Sequence, residues 1–144
     1  MRAVVIDASV ALRWLLIDEV NRAPALAVRD RIQAGLLEPR QPPHFPMEVA
    51  SALVTAVRAG RIEPSAVAPL MRSLESFRLD GVDPNDFASA AVETALDLGL
   101  RVPDAGYVVC ARRTGATLIT ADRRLFEVTL RSGAAVAFLG ELAP

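Results

Sequence analysis

Short apolar, β-branched runs alternate along this chain with longer stretches whose apolar residues recur at helical spacing. Ala3 to Ile6 is long enough for one buried parallel strand and ends at Asp7. Ala8 to Ile17 then reads as a helix, and Val20 to Gly35 as a second, with Gly35 as its stop. Pro46 opens a helix to about Ala59 that Gly60 closes, and Pro64 opens another to about Phe77. Leu79 to Val82 fits a short strand, and Pro84 starts a helix that ends at Gly99. Pro103 opens a helix over Asp104 to Arg113, closed by Gly115. Ala116 to Thr120 is a strand, Arg123 to Arg131 a helix and Ala134 to Leu139 the last strand. Such alternation predicts an α/β fold, a parallel sheet with helices on its faces. The second strand is the weak point: Leu36 to Pro42 holds two prolines, which predicts a short strand or an edge position. Glu38 to Pro43 is too short to separate domains and no repeat occurs, so residues 1–144 are expected to form one domain.

Composition narrows the function classes. With 144 residues, 52% of them hydrophobic, the chain has enough apolar surface for a real core. The formal charge is −1, so any surface for nucleic acid must come from locally grouped cations. All sixteen basic residues are arginine. P-loop phosphate binding, Schiff-base chemistry and lysine-assisted phosphotransfer are thereby excluded. Cys110, the single cysteine, sits in an apolar stretch and reads as a small buried hydrophobe. Asp7 splits the N-terminal apolar run and no small-residue cleavage site follows it. No stretch has the ~18 apolar residues of a membrane span, and a reducing cytoplasm is the expected location.

Four acids stand where an α/β sheet places its sites, outside the carboxyl ends of the strands. Asp7 ends the first strand, Asp122 follows the Thr117–Thr120 run, Asp104 follows Pro103, and Glu48 lies in the turn opened by Pro46. Taken singly, each reads first as a helix cap or a carboxylate offsetting the macrodipole, for roughly 0.3–1 kcal/mol. Glu48 resists that account best, as the only charge in FPMEVASALVTAV, a helix expected to be mostly buried. Asp7 ends an apolar strand and raises the same problem, because an unpaired buried carboxylate costs several kcal/mol or stays protonated. A cation or an arginine resolves the conflict. Magnesium takes carboxylate oxygens, keeps several waters and completes its shell with phosphate. Ser9 and Thr120 are candidates for hydrogen bonding to a carboxylate or metal water. His44, in a proline-rich loop, is assigned a surface or packing role.

VVIDASVALRWL at 4–15, PMEVASAL at 46–53 and VPDAGYVVCARRTGATLITADRRL at 102–125 resemble the three signature blocks of PIN-domain ribonucleases, and most closely the VapC-type toxins. The resemblance implies an α/β/α sandwich around a parallel sheet. It implies Mg²⁺-dependent RNA cleavage, with Mn²⁺ as a substitute, a homodimer, and a cognate VapB-like antitoxin that occupies the groove. It makes Asp7, Glu48, Asp104 and Asp122 the acidic quartet and metal site, with Asp7 and Asp104 as direct ligands. Glu48 and Asp122 then complete the site directly, through metal waters or at a second ion. Gly106 departs from the family, which usually has a larger apolar residue there; it is expected to loosen the helix or to make room for close packing.

For RNA binding, Arg123 and Arg124 beside Asp122 are the first candidates, followed by Arg13 and then Arg112 and Arg113. Trp14, Phe45, Phe87 and Tyr107 are expected to pack in the core or an interface, with base stacking the alternative. Other functions to weigh are a stand-alone RNA-processing PIN nuclease, a non-catalytic PIN module, and a phosphotransfer domain. The last is disfavoured by Ser9, where dehalogenase-like phosphatases need aspartate, and by the missing lysine.

Overall fold

The computed structural model describes residues 2–77 and 79–143. Its strands are β1 (Arg2–Ile6), β2 (Leu37–Gln41), β3 (Asp80–Gly81), β4 (Thr117–Thr120) and β5 (Val136–Phe138). Its helices are α1 (Ala8–Leu15), α2 (Arg22–Gln33), α3 (Phe45–Arg58), α4 (Val67–Glu75), α5 (Phe87–Leu98), α6 (Val102–Thr114) and α7 (Arg123–Arg131). The strands form one parallel sheet in the order β3-β2-β1-β4-β5. Helices α1 to α4 pack on one another on one face; α5 packs on α6, which lies against β1, β2 and β4. Right-handed crossovers require this division, because the chain moves outward from β1 to β3 and then returns past β1 to β4.

The register decides the site. Ile6 pairs with Ile119, so Asp7 at the end of β1 lies beside Thr120 at the end of β4, although 113 residues separate them. The paired residues that lead to them (Val4, Val5, Ile6, Leu118, Ile119) are apolar and buried, as a sheet covered on both faces demands.

The second strand corrects the expectation of an edge. It is five residues long, as β1 is, and it lies between β1 and β3, with Pro39 opposite Val4. A proline there cannot donate to the ladder. The buried side chain of Gln41 takes over: its Oε1 accepts from Ile6 N–H (3.1 Å) and its Nε2 donates to Ile6 C=O (2.8 Å). That amide clamps β1 one residue before Asp7.

Several boundaries also move. The first helix stops at Leu15 rather than Ile17, where the chain turns extended and leaves Ile17 exposed. The second begins at Arg22 after Asn21, which has φ 58°. Pro64–Ala66 is a 3-10 turn leading into α4. Pro84 precedes a turn, and α5 starts only at Phe87 after Asp86, also at positive φ. The last strand is confined to Val136–Phe138 and runs into a 3-10 turn. Among the described residues no helix is long and apolar enough to cross a membrane.

Candidate active site

Four helix N-termini meet at the carboxyl ends of β1 and β4, and each brings one acid. Asp7 is the N-cap of α1, accepting from Val10 N–H (3.2 Å), and Asp122 is the N-cap of α7, accepting from Leu125 N–H (3.0 Å). Glu48 and Asp104 lie in the first turns of α3 and α6, each opened by a proline. The capping role read from each acid alone is therefore real for two of them, and all four also line one open cavity of about 550 Å³. Orphan N–H groups and the positive ends of four helix dipoles favour negative charge there.

Asp7 is the most constrained. Ser9 Oγ donates to its Oδ1 and Thr120 Oγ1 donates to its Oδ2, both in short contacts. The two hydroxyls are tied to backbone in turn, Ser9 accepting from Ala121 N–H (3.0 Å) and Thr120 from Asp122 N–H (2.9 Å). Asp7 is 4% exposed. Burial, aided by the charge of Glu48 and opposed by these hydrogen bonds, pushes its carboxyl up to about 6.

Glu48 is placed differently from the expectation. Helix α3 is not mostly buried: only Phe45, Val49, Leu53 and Ala56 are, while Met47 and Val54 face solvent. The run of apolar residues overstated its burial. Glu48 is half-buried, and its Oε1 accepts from Tyr107 O–H (3.1 Å). Burial and the charge of Asp104 raise its carboxyl above the ordinary range.

Three residues stand at the site in a part the sequence reading did not give them: it assigned Tyr107 and His44 to packing, base stacking or the surface and left Arg101 out. Tyr107 is wholly buried, so base stacking is closed to it, as it is to Phe45, Phe87 and Trp14. Trp14 instead donates to Ala25 C=O (2.8 Å) and packs on Phe77. His44 does pack, but in the wall of the cavity: its ring meets Tyr107 edge-on (4.9 Å), Nε2 lies 2.9 Å from Pro103 C=O and 3.9 Å from Glu48 Oε2. Gly106 explains itself here, since a Cβ would stand 2.5 Å from His44 Cε1. The departure makes room and leaves the helix intact. The third is Arg101, whose Nε lies 3.3 Å from Asp104 Oδ2. Its spacing of three before Asp104 was the available signal.

The arginines picked from sequence separate. Arg124 donates to Gly99 C=O (3.0 Å) and lines a small cavity with Asp104 and Asp122. Arg123 instead stacks on Phe138 (3.8 Å) and pairs with Glu141 (3.3 Å). Arg13 is held by Val20 C=O and Ser9 C=O (both 2.7 Å) and Arg113 lies over Phe87; neither lines the acidic cavity. Arg112 is exposed on α6 and likewise stands outside it. Cys110 is buried as expected, its thiol pushed up to about 12 by burial.

Among the described residues no three His, Cys, Asp or Glu side chains are already grouped to hold an ion. Each acid instead meets its own donor: Ser9 and Thr120 on Asp7, Tyr107 on Glu48, Arg101 on Asp104 and the Leu125 N–H on Asp122.

The fold is shared with solved structures at low identity. PAE2754 from Pyrobaculum aerophilum is 21% identical over 94% of this chain and 90% of that one, with a TM-score of 0.67. FitAcB from Neisseria gonorrhoeae is 16% identical over 96% and 99%, with a TM-score of 0.64. A domain of a functionally unknown protein from Methanocaldococcus jannaschii DSM 2661 is 17% identical over 100% and 94%, with a TM-score of 0.53. No curated protein matches the chain. The model of the PIN domain matches residues 4–129, most of its length, and the chain belongs to the PIN domain family.

Proposed function

We propose that this protein is a magnesium-dependent endoribonuclease that hydrolyses RNA phosphodiester bonds, and that it is the toxin of a toxin–antitoxin pair. The observation that carries the proposal is the convergence of four carboxylates, from four separate helix N-termini, on one open cavity. PIN domains are commonly nucleases and typically bind a divalent metal. The donor set fits such an ion: four carboxylates with hydroxyls beside them, no thiolate facing them, and the one imidazole, His44, turned to Pro103 C=O. Asp7, Glu48, Asp104 and Asp122 are the residues that would hold Mg²⁺ or Mn²⁺.

When bound, the cation supplies an activated water and neutralises charge on the phosphate. The chain's own part is orientation. Ser9 and Thr120 lock both oxygens of Asp7, so that carboxylate enters the reaction without rotamer freedom. Tyr107 aims Glu48, itself braced by His44 packed into the space over Gly106. Because Asp7 holds a proton up to about pH 6, a cation would have to displace that proton in acid, and activity is expected to fall there.

The toxin role is read from the three sequence blocks and from the fold shared with FitAcB. It brings with it a VapB-like antitoxin and a second copy of the chain. Leu96 and Val92, four residues apart on α5 and both exposed, supply an apolar stripe for such protein contacts.

Purified protein with Mg²⁺ or Mn²⁺ is expected to cut total RNA, and EDTA to stop it. Asp7→Asn should abolish cutting, and Thr120→Val should slow it by about 10–100-fold. Undiminished cutting by Asp7→Asn in EDTA would overturn the reading. For the toxin role, expression in a bacterial host should arrest growth, and a small DNA-binding protein encoded beside this gene should restore it.

A further inference from the structure

Arg101 stands immediately before α6, with extended backbone (φ −66°, ψ 152°). Its side chain lines both the main acidic cavity and the neighbouring one of about 160 Å³, and Asp104 and Asp122 are walls of both. Arg124 completes the smaller cavity, anchored on Gly99 C=O. Two guanidinium groups thus flank the acids on the side where α6 and α7 begin.

The tie between Arg101 and the acids is weak. At 3.3 Å its Nε contact with Asp104 Oδ2 is longer than the ~2.7–2.9 Å of a good charge-assisted bond. The side chain is 75% exposed, where water screens such pairs. Among the described residues its guanidinium donates only through Nε, to Asp104. The charge of that group is nonetheless favoured by Asp104, Glu48 and Asp122 together, so it serves the whole acidic cluster as a counter-ion.

We infer that Arg101 is an exchangeable counter-ion: it balances Asp104 while the acids lack a cation, and with Arg124 it takes an RNA backbone phosphate once Asp104 is engaged by metal. The inference rests on the proposed cation site and names how that site holds its substrate. A forked guanidinium suits this exchange, because carboxylate and phosphate present the same pair of acceptor oxygens. It also explains how a chain with a formal charge of −1 places positive charge at the point where a polyanion must approach four carboxylates.

The test compares wild type with Arg101→Gln and Arg101→Lys in two measurements. Calorimetric titration with Mn²⁺ alone should show Arg101→Gln binding about 2–5-fold tighter, since a competing cation is gone. In cleavage of a single-stranded RNA, the same variant should raise KM about tenfold and leave kcat within about twofold. Its kcat/KM should lose about 0.7 from its log–log dependence on salt, the slope of one phosphate contact to a single strand. Arg101→Lys should restore the salt slope. Unchanged Mn²⁺ affinity overturns the counter-ion role, and unchanged KM and salt slope overturn the phosphate role, each with the nuclease reading intact. A wild type that neither binds Mn²⁺ nor cuts RNA sinks that reading itself, and this inference falls with it.

Discussion

Asp7 carries the clearest conflict between folding and function. Its carboxyl titrates at about 6 when folded and at about 3.8 when free, so the folded chain holds an extra proton between those values. Stability from this group is therefore complete below pH 4 and falls as pH rises to 6. The loss amounts to about 1.4 kcal/mol per unit, roughly 3 kcal/mol in all. In EDTA, Asp7→Asn should consequently be more stable than wild type at pH 7.5, by up to about 3 kcal/mol, and the gap should close by pH 4. Urea unfolding at both pH values checks this. A gap that stays constant would mean that burial of the charge is not its cause. Apolar context made Asp7 anomalous from the sequence alone; for Glu48 the same logic started from an overestimate of burial, since the residue is only half-buried on the cavity wall.

At the level of elements, helix starts were legible and their mutual contacts were not. Proline at the first turns of α3 and α6 and aspartate before α1 and α7 are local signals, because they answer the unpaired N–H groups of each helix's own first turn. The fit of α3 to α6 depends on two positions 62 residues apart, His44 and Gly106. Gly106→Ala gains about 1 kcal/mol of helix propensity but forces the His44 ring off its place between Pro103 and Tyr107, at a cost of about 1–3 kcal/mol. Net destabilisation of up to about 2 kcal/mol is expected in the single variant. In the background of His44→Ala the same change should stabilise. Additive effects in that double-mutant cycle would show that the two residues do not touch energetically.

At the scale of the molecule, the cavity joins α1, α3, α6 and α7, so a cation bound there would tie together elements from both faces of the sheet. Mn²⁺ should therefore raise the thermal midpoint of the wild type saturably, equivalent to about 2.7 kcal/mol at a hundred times its Kd. Asp7→Asn should show little or no rise, measured by scanning calorimetry above pH 7. An equal rise in both proteins would place the ion elsewhere.

By itself the sequence determined the α/β class, most helix starts, the PIN family and the four acids that line the cavity. Those depend on local spacing, turn chemistry and short blocks that survive without knowledge of neighbours. Only the tertiary structure decided that β1 lies beside β4, since strand order follows crossover handedness and packing across more than a hundred residues. It alone turned Arg124 rather than Arg123 toward the acids, put Gln41 in place of a ladder broken by Pro39, and brought Tyr107, His44 and Arg101 to Glu48 and Asp104. Side-chain direction across a helix start changes by about 100° per residue, so one position decides between facing a cavity and facing a neighbouring strand. That choice is settled by what the opposite element leaves open.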